Sequence, residues 1–163
     1  MLIKDQRGFT LIELLVVIAI FALMVNITMI SLDRAKRESR DTKRMSDVNQ
    51  LRSALQLYIM DKGTYPDGDG IALGSATRAV LDTRGWAASP PTMPVFMPTV
   101  PRDPKKINQP ESPCTDVSTS PCDYGYTFLS ADSYAMYFYL EGKVSDKDPG
   151  LYRVTKDSIV KIN

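Results

Sequence analysis

The chain has no histidine among its 163 residues. That removes imidazole acid–base catalysis, His-activated serine or cysteine nucleophiles, and most zinc sites. Net charge is nearly absent as well. Twenty Lys+Arg against 19 Asp+Glu leave a formal +1, which gives no overall electrostatic case for nucleic acid. From Phe9 through Lys62 there is neither proline nor glycine, so nothing in that stretch is a strong helix breaker. Cysteine occurs only twice. What remains is ordinary for a globular protein, 44% hydrophobic and 24% charged, at a length that suits one domain plus an appendage.

The N-terminus departs from that average. A short polar leader, "MLIKDQRG", carries Lys4 and Arg7. It is followed by Phe9 to Leu32, interrupted only by Thr10, Glu13, Asn26, Thr28 and Ser31. As a helix this run reaches ~36 Å, against a hydrocarbon core of ~30 Å. Within it, Leu14 to Val25 are twelve consecutive apolar residues. A membrane span is a better reading than a buried core helix. Glu13 is the anomaly, because a carboxylate in such a run costs about 2.5–3.5 kcal/mol on insertion scales unless a partner offsets it. A cleaved secretory signal would place a small-residue site just after the apolar core. The sequence there, "NITMISLDRAKRE", has none.

"KDQRGFTLIELLVVIAIFALM" resembles the N-terminal signal of type IV pilins and of the pseudopilins of type II secretion. The resemblance implies cleavage by a membrane prepilin peptidase between Gly8 and Phe9, then N-methylation of Phe9. It also implies that Glu13 is the carboxylate that sets register during assembly. Parallel helices in a filament core would bring the new amine of Phe9 close to Glu13 of a neighbour, and a misregistered copy would leave both charges unpaired. Charge counting alone does not orient the span, since Lys4 and Arg7 precede it while six basic residues from Arg34 to Arg44 follow. The resemblance places the C-terminal part outside. Many pilins carry a proline where this chain has Ile30.

Beyond Asp33 the helical pattern turns one-sided. Met45, Val48, Leu51, Leu55 and Tyr58 recur at three and four residues, while Asp47, Asn49, Gln50 and Arg52 fall on other faces. One helix is expected from Phe9 to Lys62, capped by Gly63. The basic cluster Arg34 to Arg44 reads first as a solvated face outside the bilayer, then as a contact for lipid headgroups or neighbouring acids. Nucleic acid is the least favoured reading, for want of interleaved aromatics.

"KGTYPDGDG" ends the helix with turn residues, and Tyr65-Pro66 extends the resemblance. "ATRAVLDTRGWA" suggests a short helix, and "SPPTMPVFMPTVPRDP" a loop unable to form central strands. "TVPRDP" is similar to a passage that precedes the sheet in major pseudopilins and short pilins. "YGYTFL" and "YAMYFYL" flank the turn "SADS" as a hairpin, with Tyr134, Met136, Phe138 and Leu140 on one face. "GLYRV" and "SIVKI" suggest a second hairpin. In an exported domain Cys114 and Cys122 read as a disulfide, worth ~2.6 kcal/mol in the chain-entropy estimate; in a cytosolic one they are free thiols. Major pseudopilins bind calcium in a loop of the sheet region, which makes Asp146 and Asp148 candidate ligands ahead of Asp67 and Asp69. Solvated turn acids are the simpler reading, and no other cofactor is expected.

The expected fold is α+β: a long N-terminal helix, membrane-spanning then amphipathic, packed on a small C-terminal antiparallel sheet. Residues 1–8 form the leader, 9–32 the span, and 33–163 the globular part, with helix to 62, an αβ-loop over 63–122 and the sheet over 123–163. The expected role is a non-enzymatic filament subunit of a type IV pilus, with a secretion pseudopilin or a DNA-uptake pilus subunit as alternatives. Its partners would be copies of itself, minor pilins, the prepilin peptidase, an inner-membrane assembly platform and membrane lipid. It would sit in the cytoplasmic membrane with its N-terminus inside, then in an extracellular or periplasmic filament.

Overall fold

A computed structural model describes residues 9–106, 110–116 and 122–162, apart from the side chains of residues 26–28 and 30. The chain divides into two compact units, Met1–Lys36 and Arg37–Asn163. One helix, α1 (Leu11–Lys62), contributes to both. It stops where Gly63 takes a positive φ of 73° and donates its N–H to the Ile59 carbonyl at 2.8 Å. A residue with a Cβ pays a steric penalty in that conformation.

In the first unit α1 is apolar on all sides, and from Leu11 to Val25 every large apolar side chain is at least 45% exposed. Among the described residues no helix is long and apolar enough to cross a membrane. The uninterrupted apolar run, Leu14 to Val25, rises only ~18 Å as a helix. The span expected over 9–32 is therefore not a finding of the structure.

The second unit is built on a five-stranded antiparallel sheet in the order β1-β5-β6-β7-β8. Its members are β1 (Ile71–Ala72), β5 (Gly125–Ser130), β6 (Ser133–Leu140), β7 (Gly150–Val154) and β8 (Ile159–Lys161). Alternation along β6 puts Tyr134, Met136, Phe138 and Leu140 at 2% exposure or less. Directly opposed Phe138 and Tyr152 stack at 5.4 Å between ring centroids, a cross-strand aromatic pair that adds to area burial. This face meets Val48, Leu51, Leu55 and Tyr58 of α1 in one core. The amphipathic stripe expected for the helix is the buried one.

The segment expected to be a short helix and a loop contains more structure. Only Ala76–Arg78 is helical, as a 3-10 turn. Three strands, β2 (Val80–Asp82), β3 (Gly85–Ala87) and β4 (Val95–Met97), form a second sheet in the order β3-β2-β4. The proline rule is respected, because β4, bounded by Pro94 and Pro98, lies at an edge. Buried Asp82 supplies acceptors to N–H groups of the β2–β3 turn and of the proline-rich connection. Its carboxylate accepts the Thr92 N–H at 2.7 Å and the Arg84 guanidinium. Short strands stitched by a side chain leave no periodic signature, which is why the sequence pattern does not announce them.

The core makes a paired prediction. Leu55 is fully buried whereas Leu57, two residues on, is 54% exposed. Leu55→Ala should cost about 2–5 kcal/mol, and Leu57→Ala should stay within about 0.5 kcal/mol. Chemical denaturation of both variants measures the difference.

Candidate functional site

Two places concentrate polar chemistry. The first is the start of α1. Thr10 precedes the helix, and its carbonyl accepts the first helical N–H, that of Leu14, at 3.3 Å. Its hydroxyl and N–H donate to the same Glu13 carboxylate oxygen at 2.7 and 2.8 Å, and the Glu13 N–H returns to the Thr10 hydroxyl at 3.3 Å. This is a capping box, in which two otherwise unpaired helix-terminal donors are satisfied reciprocally. Within one chain, Glu13 therefore has a partner. The Thr-x-x-Glu spacing of "FTLIE" is the sequence signal of this box. Phe9 is 91% exposed beside it; Gly8 lies outside the described residues.

The second place is a buried ionic cluster in the globular unit. The Arg44 guanidinium forks onto Asp103, with Nε–Oδ2 2.6 Å and Nη2–Oδ1 3.0 Å. Its Nη1 reaches Asp41 Oδ1 at 2.5 Å and Glu141 Oε1 at 2.8 Å. Arg40 forks onto Glu141 from the solvent side at 2.9 and 2.7 Å, and Lys105 Nζ adds a contact at 3.2 Å. Asp41 also accepts the backbone N–H groups of Glu141 and Gly142, at 3.1 and 2.7 Å. Three carboxylates meet three cations, so the cluster is neutral.

This corrects the reading of Arg34 to Arg44 as a solvated face. Arg34, Lys36, Arg37 and Lys43 are exposed, but Arg40 is half-buried and Arg44 is 1% exposed. The available signal was the stripe itself. Asp41, Arg44, Val48, Leu51, Leu55 and Tyr58 continue one spacing of three and four, so the core face of the helix simply becomes ionic at its N-terminal end. Asp47, assigned to another face, is buried too and accepts the Tyr124 hydroxyl at 2.9 Å.

Electrostatics follow from geometry. Burial alone would lower the Arg44 pKa, but the hydrogen bonds it donates to Asp103, Asp41 and Glu141 outweigh it and raise the value. Hydrogen bonding from Arg40, then from Arg44 and Lys105, holds Glu141 at about 2. Burial pushes Asp47 upward, only partly opposed by Tyr124.

Cys114 and Cys122 are joined in a disulfide, with Cα atoms 5.0 Å apart. Asp146 and Asp148 lie in the β6–β7 connection, 81% and 66% exposed at their side chains, each with a lysine ammonium 3.8–3.9 Å away. Among the described residues no group of three His, Cys, Asp or Glu side chains is placed to hold a metal ion. The two acids do not by themselves make a calcium site, which takes six to eight oxygens.

The polar start of α1 followed by an exposed apolar helix is the arrangement that the comparisons address. Residues 3–25 match the model of the prokaryotic N-terminal methylation motif. The chain is 39% identical over 61 residues to the type II secretion system core protein G of Pectobacterium carotovorum, covering 37% of this chain and 39% of that protein. It is 35% identical over 85 residues to the core protein G of Klebsiella pneumoniae, covering 51% and 61%. It is also 33% identical over 73 residues to the type IV wide pilus major component PilA4 of Thermus thermophilus, covering 44% and 56%. The chain thus spans about two fifths to three fifths of the length of these curated relatives. No solved structure matches.

The ionic cluster yields two predictions. Arg44→Met leaves the fully buried carboxylates of Asp41 and Asp103 without their cation, while Glu141 keeps Arg40 and Lys105; it should destabilise the globular unit by about 3–5 kcal/mol, whereas Lys43→Met should do little. Glu141, at about 2 when folded against an ordinary 4.5, stabilises fully above the unfolded value. That contribution is lost as pH falls from about 4.5 toward 2. Asp82, held at about 2 by Arg84, loses stability in the same window. Glu141→Gln should therefore flatten, but not abolish, the acid limb of a Tm-versus-pH curve.

Proposed function

We propose that this chain is a filament subunit that polymerises through its N-terminal helix. Cleavage between Gly8 and Phe9 and N-methylation of Phe9 would precede assembly. The observation that carries this reading is the apolar helix, exposed on every side, within the match to a methylation motif over residues 3–25. A helix that is apolar all round needs lipid or other helices around it, and parallel copies of itself provide the latter. Before assembly the apolar segment would sit in the cytoplasmic membrane with the N-terminus inside, served by a prepilin peptidase and an assembly platform. Afterwards it would line an extracellular or periplasmic filament containing other pilins.

Glu13 acts twice in this scheme. In a single chain its carboxylate is satisfied by Thr10. In the filament core the same carboxylate faces the charged amine of a neighbouring Phe9, which methylation leaves positive. A type IV pilus subunit and a type II secretion pseudopilin share this chemistry. The likeness to core protein G favours the secretion form, and the likeness to the wide pilus component keeps the pilus form in play.

Glu13→Leu separates the roles. It should leave membrane association intact, since it makes the segment more apolar, and leave cleavage intact, since Glu13 lies beyond the cut bond. Filament yield should collapse. Membrane fractionation, N-terminal mass and electron microscopy of sheared filaments read the three. Normal filament yield would mean that the carboxylate does not set register. Gly8→Leu should instead stop processing, and an N-terminus at Phe9 from that variant would count against the cleavage site.

A further inference from the structure

The disulfide is packed beside a buried carboxylate, that of Asp123. Asp123 is fully buried next to Cys122. The Cys114 N–H donates to the Asp123 carbonyl at 2.8 Å, and the Asp123 N–H to the Ser112 carbonyl at 2.6 Å. The knot is tight, since a Cβ on Gly125 would run into the Cys114 carbonyl. The Asp123 carboxylate accepts the Ser112 N–H at 2.9 Å and the Arg102 guanidinium at 2.8 and 3.3 Å. The next residue along is Asp103, which forks onto Arg44. Two adjacent residues thus tie one short segment to two places, Arg102 to the disulfide knot and Asp103 to the helix.

We propose that the Cys114–Cys122 disulfide is a positioning device for the Arg44 cluster and not only a local loop staple. It holds Asp123 where Arg102 can reach it, and the Arg102–Asp123 pair fixes Asp103 beneath Arg44. In the forward step the two thiols pass two electrons and two protons to the exchangeable disulfide of an oxidant protein, which leaves as a dithiol. Excess dithiol reagent reverses the step. The ionic cluster accordingly closes only where such an oxidant is present. In the reduced chain the segment 101–106 and the turn at Glu141–Gly142 loosen, while the ladder of β6 and β7 stays closed: the cysteines pack on its outer face at Leu151, Tyr137 and Tyr139, and its inner face, with Phe138 and Tyr152, is held in the separate core against α1. This device does not depend on polymerisation.

Hydrogen exchange on the full chain in detergent micelles tests it. The reporters are the amides held by the cluster or by its segment: Lys105 on the Asp103 carboxylate, Lys106 on the Asp103 carbonyl, and Glu141 and Gly142 on the Asp41 carboxylate. Their exchange should rise by about tenfold or more in the reduced chain and in the Cys114→Ser/Cys122→Ser double variant, with the β6–β7 amides unchanged. Reoxidation of the native chain should restore protection. Asp123→Asn, with the disulfide intact, should reproduce the rise at the same four amides, because it weakens the link and not the crosslink. Loss of protection confined to residues 110–116 and 122–124 would overturn the proposal in favour of a local staple. A uniform rise that includes β6 and β7 would overturn it in favour of a general loss of stability.

Discussion

One buried guanidinium organises the globular unit. Arg44 gathers the carboxylates of Asp41, Asp103 and Glu141, which come from the helix, the loop before the sheet and the end of β6. Burying these charges costs several kcal/mol per ion, and a well-packed apolar cluster of the same volume would often be as stable. What the ions add is selectivity of position. The apolar face of Val48, Leu51 and Leu55 would tolerate small slips against the aromatic sheet. A forked Arg–Asp pair tolerates none, because misplacing either group leaves a desolvated charge without its partner. Packing thus decides that helix and sheet associate, and the ionic end of the stripe decides where along the helix they do so.

The same contrast explains what was legible in the sequence. The helix, its cap at Gly63, the core stripe and both C-terminal hairpins follow from periods of 3.6 and 2 and from turn residues. Each is a local pattern summed over many positions. Arg44 is a different kind of problem. Its burial depends on Asp103, 59 residues away, and on Glu141, 97 residues away. Nothing local distinguishes it from exposed Lys43. Only the continuation of the stripe through Asp41 and Arg44 hinted that charge had been placed on the inner face. The second sheet escaped for a related reason: three-residue strands are too short to show alternation, and a carboxylate from Asp82 supplies bonds that a longer ladder would have made.

At the other end of the helix the sequence held two signals and the louder one hid the quieter. Glu13 in an apolar run demanded a partner, and a neighbouring amine is a good one in lipid-like surroundings. The capping box offers a partner at three residues' distance, worth about 1 kcal/mol. That suffices for a carboxylate facing water. It falls short of the several kcal/mol that a lone carboxylate costs once water is excluded. The two partners therefore belong to two environments and do not compete as explanations.

Both charged sites obey one rule with different sources for the counter-charge. The Arg44 cluster closes its balance within the chain, three cations against three carboxylates, and its neutral sum is what allows it to be buried in a single molecule. Among the described residues Glu13 has hydrogen bonds to Thr10 but no ion pair. The apolar side chains around it are exposed in the isolated chain and have no internal surface to bury against. Without a counter-charge or a cover among the described residues, this site does not meet the physical criteria that make the Arg44 cluster complete. On the proposed assembly a positive group and an apolar surface would arrive together, both from another copy of the same N-terminus.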